Sequence, residues 1–375
     1  MDRRNFVKGV AVGAGAAALT SCDGEGNSDA NTATGPAVLR KKRNLKLVTS
    51  WQKNYPGLGV TPERIAQHVN EATDGAISIK VYAAGELVGA FDSFDAVSTG
   101  SADMYHAAEY YWQGKSPAFN FFTAVPMGLT ANELMAWIYY GGGQELWDEL
   151  SSKFTIKAFM AGNTGTQMGG WFRKEINTLD DLKGLKIRMP GLGGEVLRRL
   201  GAAAVALPQP EIYTSLQSGN IDGAEWAGPW NDLTMGFYQI TKYYYWPGFH
   251  EPGSALSLGI NLDLWNDLTP GEQRIIEDAC AAENSRNLAE YNRFNTEALR
   301  TLIDEHGVQL KRFNSEILTE IGRLCGEVVK EAGQTDNMSK RIYESFLQTR
   351  SNVSSWSEIS EEGFWAARRL PFDYG

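Results

Sequence analysis

The chain has 375 residues, of which 43% are hydrophobic and 21% charged, and its formal net charge is −10 at pH 7. At about 100–200 residues per domain, this length predicts about two globular domains. The acidic balance argues against a nucleic-acid partner, because binding to phosphates needs a basic surface. An anionic small ligand stays open, since one arginine in a pocket can outweigh the global charge locally.

The first 22 residues are predicted to be an export signal and are left out of the fold. "MDRRNFVKGV" places Arg3 and Arg4 ahead of a short stretch rich in Ala, Val and Gly, which is typical of a Tat signal. "LTSC" resembles a lipoprotein signal-peptidase box with Cys22 as the lipidated residue; the alternative is cleavage elsewhere, with Cys22 incidental. The small polar residues of 23–42 predict a disordered tether that holds the body off a membrane.

The body begins with alternating strands and helices. "NLKLVTSW" (44–51) and "AISIKVYAAGEL" (76–87) predict strands. "TPERIAQHVNEAT" (61–73) and the following "AFDSFDAVSTGSADM" predict helices. This βαβα alternation predicts an α/β domain with a mostly parallel sheet.

A second block repeats this pattern and ends in helices. Its predicted elements are strands at 154–162, 171–176 and 185–190, a helix that runs into a strand in "GGEVLRRLGAAAVAL", a helix and short strand over 210–226, a strand and helix over 252–268, one long helix from about 270 to 300, and a helical region over 315–349. The prediction is two α/β lobes. The first comprises 43–163 plus about 254–300, the second 164–253, and 301–375 form a C-terminal helical region. Ligands of such sheets bind at the carboxyl ends of strands, and two facing lobes form a cleft.

Two cysteines remain in the body, Cys280 and Cys325, and both lie in helical patterns. We expect buried free thiols, because a disulfide would be unusual support for so large a domain. CxxC, HExxH, P-loop and GxSxG motifs are absent, and the four histidines are scattered at 68, 106, 250 and 306. A transition-metal or serine-hydrolase site therefore has little support in the sequence.

Segments between 161 and 253 carry a family resemblance. "DLKGLKIRMP", "PEIYTSLQSGNIDGAEW" and "GFHEPGS" resemble the DctP-type solute receptors of TRAP transporters. "QMGGWF", "DGAEW" and "HEPG" resemble the TakP-like subgroup of 2-oxoacid and lactate receptors. The resemblance implies a two-lobe α/β fold like that of periplasmic binding proteins, with a hinge, a long bracing helix and a C-terminal helical tail. It also implies a periplasmic receptor, not an enzyme, that binds a monocarboxylate with a metal cation, Na⁺ or Ca²⁺, and delivers it to a membrane permease.

The same resemblance assigns roles to five residues. Arg188 in "KIRMP" would hold the ligand carboxylate, and Gln167 in "TQMGG" would touch both ligand and cation. Glu225 and Trp226 in "GAEWA" would bind the cation, Trp226 through its backbone carbonyl. Glu251 in "FHEPG" would be the last carboxylate of the site.

The first lobe is less defined by the motifs. Tyr110 and Tyr111 lie where that lobe would face the cleft, and one of the two, not both, is expected to contact the ligand. Trp230 and His250 are expected to be packing residues. Relatives of this subgroup dimerise through a C-terminal helix, and the amphipathic region 315–349 is a candidate for that role.

The residue chemistry agrees with these roles. Arg188 follows a predicted strand, and a guanidinium fork suits bidentate capture of a carboxylate. Glu225 and Glu251 would repel each other in one cleft unless a cation or a proton lay between them. Oxygen donors from these residues suit Ca²⁺ or Na⁺ rather than zinc or iron.

Two alternatives use the same residues. An enzyme could employ the paired glutamates as acid and base, but an arginine and a cation beside both would keep them ionised. A ligand-sensing lipoprotein without a transporter would have the same pocket and a different partner. The length of the ligand stays open, because it depends on the apolar side of the pocket.

Overall fold

Two β-sheets organise the protein in the computed structural model, which describes residues 41–374. Its strands are β1 (Arg43–Thr49), β2 (Ile77–Tyr82), β3 (Met104–Ala107), β4 (Ile156–Asn163), β5 (Gly170–Phe172), β6 (Lys186–Arg188), β7 (Ala203–Val205), β8 (Gly223–Ala224), β9 (Tyr243–Trp246), β10 (Ala255–Asn261) and β11 (Gln309–Arg312). The predicted export signal, Cys22 and residues 23–40 of the predicted tether lie outside the described residues.

Helices cover both sheets and form the carboxyl-terminal part. They are α1 (Val60–Ala72), α2 (Ser93–Ser98), α3 (Ala131–Tyr140), α4 (Gly143–Ser152), α5 (Gly191–Arg199), α6 (Gln209–Ser218), α7 (Pro229–Met235), α8 (Leu262–Asp267), α9 (Pro270–Asp304), α10 (Ser315–Ala332), α11 (Asn337–Ser357) and α12 (Gly363–Arg368). Shorter turns are 3₁₀ at Glu109–Trp112, Pro117–Phe122, Leu179–Leu182 and Phe237–Gln239, and π at Glu358–Glu362. Between residues 41 and 374, no helix combines the length and apolar character needed to cross a membrane.

The first sheet has the order β2-β1-β3-β10-β4. Strand β1 is parallel to β2 and β3, whereas β10 is antiparallel to β3 and β4. The βαβα segment thus forms parallel strands as predicted, and the one reversed strand, β10, makes the complete sheet mixed. The reason is topological: β1, β3 and β4 end at the cleft edge, and β10 enters from that edge after the chain returns from the second sheet.

The second sheet has the order β11-β9-β5-β8-β6-β7. Strand β6 is parallel to β7 and β8, and β5 is antiparallel to β8 and β9. Strand β11 lies in the segment 301–375, which the sequence predicted to be helical. Its sequence, QLKR, is mostly exposed and has no buried alternation, so no apolar pattern marked it as a strand.

The 35-residue helix α9 connects both lobes, as the sequence predicted. It begins at a capping box in which Thr269 and Glu272 satisfy each other's backbone N–H groups, with Pro270 at the first turn. Asn287 in its middle donates to the carbonyl of Gly57 at 2.9 Å, in the first lobe. About two turns further, Asn295 accepts from the backbone of Trp230 at 3.0 Å, at the start of α7. The helix thus holds both lobes by specific hydrogen bonds.

The two C-terminal helices divide between the lobes. Helix α10 packs on α5 of the second lobe, and α11 packs on α3 and α4 of the first. In the part of the chain that the structure describes, Cys280 and Cys325 are buried free thiols, which confirms that prediction. Together the two sheets, the long helix and the helical tail confirm the predicted two-lobe α/β fold class.

Candidate functional site

Arg188 and Glu225 meet because they end neighbouring parallel strands. Arg188 closes β6 and pairs with Ala224 of β8, and Glu225 follows directly. Both side chains are fully buried. Arg188 Nη1 donates to the Glu225 carboxylate oxygen Oε2 and to its backbone carbonyl, each at 2.7 Å. The guanidinium carbon also lies 5.0 Å from the centre of the Trp226 ring, within the range of a cation–π contact.

Gln167 and Glu251 meet because two connections between the sheets run side by side. Gln167 lies between β4 and β5, and Glu251 lies between β9 and β10. The backbone N–H of Gln167 donates to the carbonyl of Glu251 at 3.1 Å. The side-chain amide of Gln167 donates to Glu251 Oε2 at 2.7 Å. Residues 84 positions apart therefore form one polar pair at the cleft.

His250 belongs to the same cluster, although the sequence predicted only a packing role. Its Nε2 lies 3.3 Å from Glu225 Oε1, and its side chain is 1% exposed. One ligand atom from each of Glu225, His250 and Glu251 lies within 4.8 Å of the others. The one sequence signal for His250 was its position next to Glu251. Trp230 does pack as expected, against Tyr291 and Phe294 of α9.

A small cavity lies beside this cluster and has an empty volume of about 240 Å³. It is lined by residues of both lobes: Trp51, Leu58, Tyr110, Tyr111, Thr164, Gln167, Trp226, Ala227, Ser254 and Leu256. Both candidate tyrosines reach it, where the sequence favoured one. The sequence did not single out Trp51, Leu58 or Leu256, because apolar residues near strand ends carry no functional signal.

The start of α5 approaches the tyrosines closely. Gly191 has φ +64°, a left-handed conformation that favours glycine. A Cβ atom there would lie 3.1 Å from Asn120 Oδ1 and 3.5 Å from the Tyr110 ring. Glycine at this position therefore lets the second lobe close against the first.

Burial dominates the electrostatics of the cluster. It raises the pKa of Glu225 to about 8, although the Arg188 charge and hydrogen bond oppose the shift. Burial, followed by the Glu225 charge, raises the pKa of Glu251 to about 7. Burial lowers the pKa of His250 to about 4, which keeps its imidazole neutral. Arg188 alone thus does not offset the desolvation of two carboxylates, and a bound cation would do so.

Several buried polar atoms of the cluster have no hydrogen-bond partner among residues 41–374, the two ring nitrogens of His250 included. Three of them, Arg188 Nη2, Gln167 Oε1 and Glu225 Oε1, have the chemistry to contact an anion and a cation. Unpaired buried polar atoms are costly, so such a group indicates ligand contacts. The donor Nη2 suits a carboxylate, and the two oxygens suit a hard cation such as Ca²⁺ or Na⁺. The residues present therefore fit a cation bound together with an anion.

Comparisons with known proteins agree with this geometry. The family model for DctP, bacterial extracellular solute-binding protein family 7, matches residues 47–336. A monocarboxylate 2-oxoacid-binding periplasmic protein of Nostoc sp. PCC 7120 is 38% identical over 361 residues, which cover 96% of this chain and 97% of that protein.

Two solved structures of TRAP solute-binding proteins are similar over most of this chain. One from Bordetella bronchiseptica, a dimer with calcium and picolinate in its occupied site, has a TM-score of 0.85 and 34% identity, covering 88% of this chain and 99% of the other. One from Pseudoalteromonas atlantica, with sodium and pyruvate, has a TM-score of 0.84 and 37% identity, covering 87% and 99%. The match over more than half of the chain, together with these relatives, shows that this protein belongs to the DctP family of extracellular solute-binding proteins, the solute receptors of TRAP transporters.

Proposed function

We propose that the protein binds a small 2-oxo or 2-hydroxy monocarboxylate together with Ca²⁺ or Na⁺, outside the cytoplasm, and delivers it to a TRAP membrane permease. The observation that carries this proposal is that Arg188 Nη2, Gln167 Oε1 and Glu225 Oε1 are buried and unpaired beside one small cavity. One of them is a cationic donor and two are oxygen acceptors. A carboxylate and a hard cation would satisfy all three at once.

Each residue then has a defined task. Arg188 Nη2 donates to the ligand carboxylate, while Nη1 stays on Glu225. Glu225, Glu251, Gln167 and the carbonyl of Trp226 supply oxygens to the cation. The cation neutralises the two buried carboxylates and places positive charge near the ligand's 2-oxygen. The two similar solved structures, which contain calcium with picolinate and sodium with pyruvate, support this assignment.

Closure of the two lobes would complete the site. Tyr110 and Tyr111 come from the first lobe, whereas Arg188 and Glu225 come from the second. We place the first lobe at 43–163 plus about 254–300 and the second at 164–253, with strand β11 added to the second. A ligand that contacts both lobes binds the closed state better, so it shifts the population toward closure.

The test is isothermal titration calorimetry on the mature protein. Pyruvate, lactate and picolinate are titrated in EDTA, in excess Ca²⁺ and in excess Na⁺. We expect binding that strengthens at least about fivefold with the preferred cation, the lower end of typical coupling between two ligands. Absence of binding by every carboxylate under all three conditions, in folded protein, would reject the proposal.

The same samples test the enzymatic alternative. Glu225 and Glu251 have raised pKa values, the property of an acid–base pair. A receptor returns its ligand unchanged, so the NMR spectrum of pyruvate recovered after long incubation should match that of the input. A new product that disappears in Glu225→Gln would favour an enzyme instead.

We propose further that the protein forms a homodimer through its C-terminal helices. Large apolar side chains are exposed near the end of α11 and beyond it: Trp356, Ile359, Phe364 and Trp365 are 68%, 74%, 61% and 46% exposed. Exposed apolar patches of this kind mark association sites. Light scattering should give a dimer for the full chain and a monomer for Ile359→Glu/Phe364→Glu, with ligand affinity unchanged. A full chain that stays monomeric at high concentration would refute this assignment.

The amino-terminal assignment is tested separately. We propose that Cys22 carries a lipid that tethers the receptor outside the cytoplasm. Cys22→Ser should then move the protein from the membrane fraction to the soluble fraction after export. An identical distribution of the two proteins would contradict lipidation.

A further inference from the structure

Trp51 forms part of the cavity wall opposite the charged cluster. It follows β1 at the cleft edge, and it is 2% exposed. Its ring lies 6.3 Å from the Trp226 ring at 71° and 6.2 Å from the Tyr111 ring at 55°. An indole from the first lobe thus meets an indole from the second in an edge contact, and both line the cavity with Gln167.

Hydrogen bonds fix the Trp51 indole in place. Its Nε1–H donates to Nδ1 of His106 at 2.8 Å, and both side chains are buried. Burial lowers the pKa of His106 to about 3, so the imidazole is neutral and Nδ1 stays an acceptor. The Trp51 backbone is also held, since its N–H donates to Thr49 Oγ1 at 3.2 Å and its carbonyl accepts from Ala84 at 2.9 Å. Rotation of the ring would leave a buried donor and a buried acceptor unpaired.

The cavity has a polar end and an apolar end. Gln167, next to Glu251, marks the polar end, whereas Trp51, Leu58 and Leu256 supply apolar surface. A 2-oxoacid whose carboxylate lies on Arg188 would direct its carbon chain toward that apolar surface.

We propose that Trp51, held by His106, sets the upper size of the chain that the ligand carries on its 2-carbon, and so restricts this receptor to short 2-oxoacids. This inference rests on the proposed function. Trp51 is the specificity-determining residue, and His106 is a positioning residue that acts through it. A wall that cannot rotate rejects a longer chain by steric overlap, whereas a mobile side chain would make room.

The experiment compares two ligands by calorimetry at saturating Ca²⁺. Pyruvate is the short probe, and 4-methyl-2-oxopentanoate is the long branched probe. One methylene group in an apolar pocket changes affinity by about 10- to 200-fold, so the wild type should prefer pyruvate by at least about tenfold. Trp51→Leu should reduce this preference at least about tenfold, because it should strengthen the binding of the long ligand. Trp246→Leu, at a surface tryptophan of β9 that is 37% exposed, is the matched control and should leave the ratio unchanged.

His106 variants test the positioning role. His106→Phe removes the acceptor and should lower the preference for pyruvate, whereas His106→Asn keeps a side-chain acceptor and should retain part of it. A merely structural role would change unfolding midpoints without changing the ratio of the two affinities. If Trp51→Leu does not fold, Trp51→Phe serves in its place, with a smaller change expected in the same direction.

Different results reject different statements. Tight binding of both ligands with equal affinity in the wild type would overturn the size limit and leave the receptor function intact. An unchanged ratio in folded Trp51 variants would overturn the role of Trp51. Failure of the wild type to bind any 2-oxoacid would reject the proposed function, and the inference with it.

Discussion

Replacing Arg188 by methionine separates the two tasks of its guanidinium. The substitution keeps a long unbranched side chain in a buried position and removes the charge and all donors. In the wild type, Nη1 makes two hydrogen bonds of 2.7 Å to Glu225, while Nη2 has no partner among the described residues. Loss of Nη1 should therefore affect stability, and loss of Nη2 should affect ligand binding.

The expected losses of stability and of ligand affinity differ in size. Removing one partner of a buried ion pair costs about 3–5 kcal/mol. For Arg188→Met at pH 7, the loss of stability should lie toward the lower end of that range. The reason is that the pKa of Glu225 is raised to about 8, so its carboxyl can take up a proton when the guanidinium is gone. A hydrogen bond to a charged group contributes about 1.5–3 kcal/mol. Loss of Nη2 should therefore weaken the binding of pyruvate about 10- to 150-fold. Arg188→Lys keeps the charge without the planar fork and should give an intermediate loss.

Two assays read these effects independently. Urea unfolding without ligand measures the free energy of unfolding, and calorimetry at saturating Ca²⁺ measures the Kd of pyruvate. Arg274→Met is the matched control: the Arg274 side chain is 67% exposed and forms an ion pair with Glu277 in the same helix turn, so both quantities should stay close to wild type. A folded Arg188→Met protein that binds pyruvate within threefold of the wild type would show that Nη2 does not hold the ligand.

Three further predictions concern other residues. Burial raises the pKa of Glu109 to about 7 from 4.5, so its protonation stabilises the fold fully below pH 4.5 and this contribution is lost as pH rises through 7. That pKa difference corresponds to about 3 kcal/mol of stability. Between pH 4.5 and pH 8.5, the free energy of unfolding measured in urea should therefore fall by about 3 kcal/mol less in Glu109→Gln than in the wild type. Parallel pH profiles of the two proteins would contradict the assignment. Glu251→Gln removes one of the two carboxylates, so calorimetry should show Ca²⁺ binding that is at least about tenfold weaker. An unchanged Kd for Ca²⁺ would show that Glu251 is not part of the cation site. Burial raises the thiol pKa values of Cys280 and Cys325, so both should react with Ellman's reagent only after unfolding, and fast reaction in native protein would show exposed thiols.

Local sequence patterns determined the elements and part of the site. Helix α9 was predictable because Thr269, Pro270 and Glu272 start it and no proline interrupts it. The alternation of strands and helices determined the two-lobe α/β class. Arg188 and Glu225 could be named because each stands at the end of a predicted strand inside a recognisable motif. These features depend on neighbours within a few positions, which one sequence contains in full.

The tertiary structure decided what depends on distant parts of the chain. It brought Gln167 against Glu251, placed His250 beside Glu225, and set Trp51 in edge contact with Trp226. It also made β10 antiparallel and added the exposed strand β11 to the second sheet. None of these follows from local periodicity, because strand order and the meeting of two lobes are set by how the chain crosses between the sheets. Local sequence thus specifies the kinds of elements and the chemical groups, whereas the size of the pocket and its fixed aromatic wall come only from the packing of one lobe against the other.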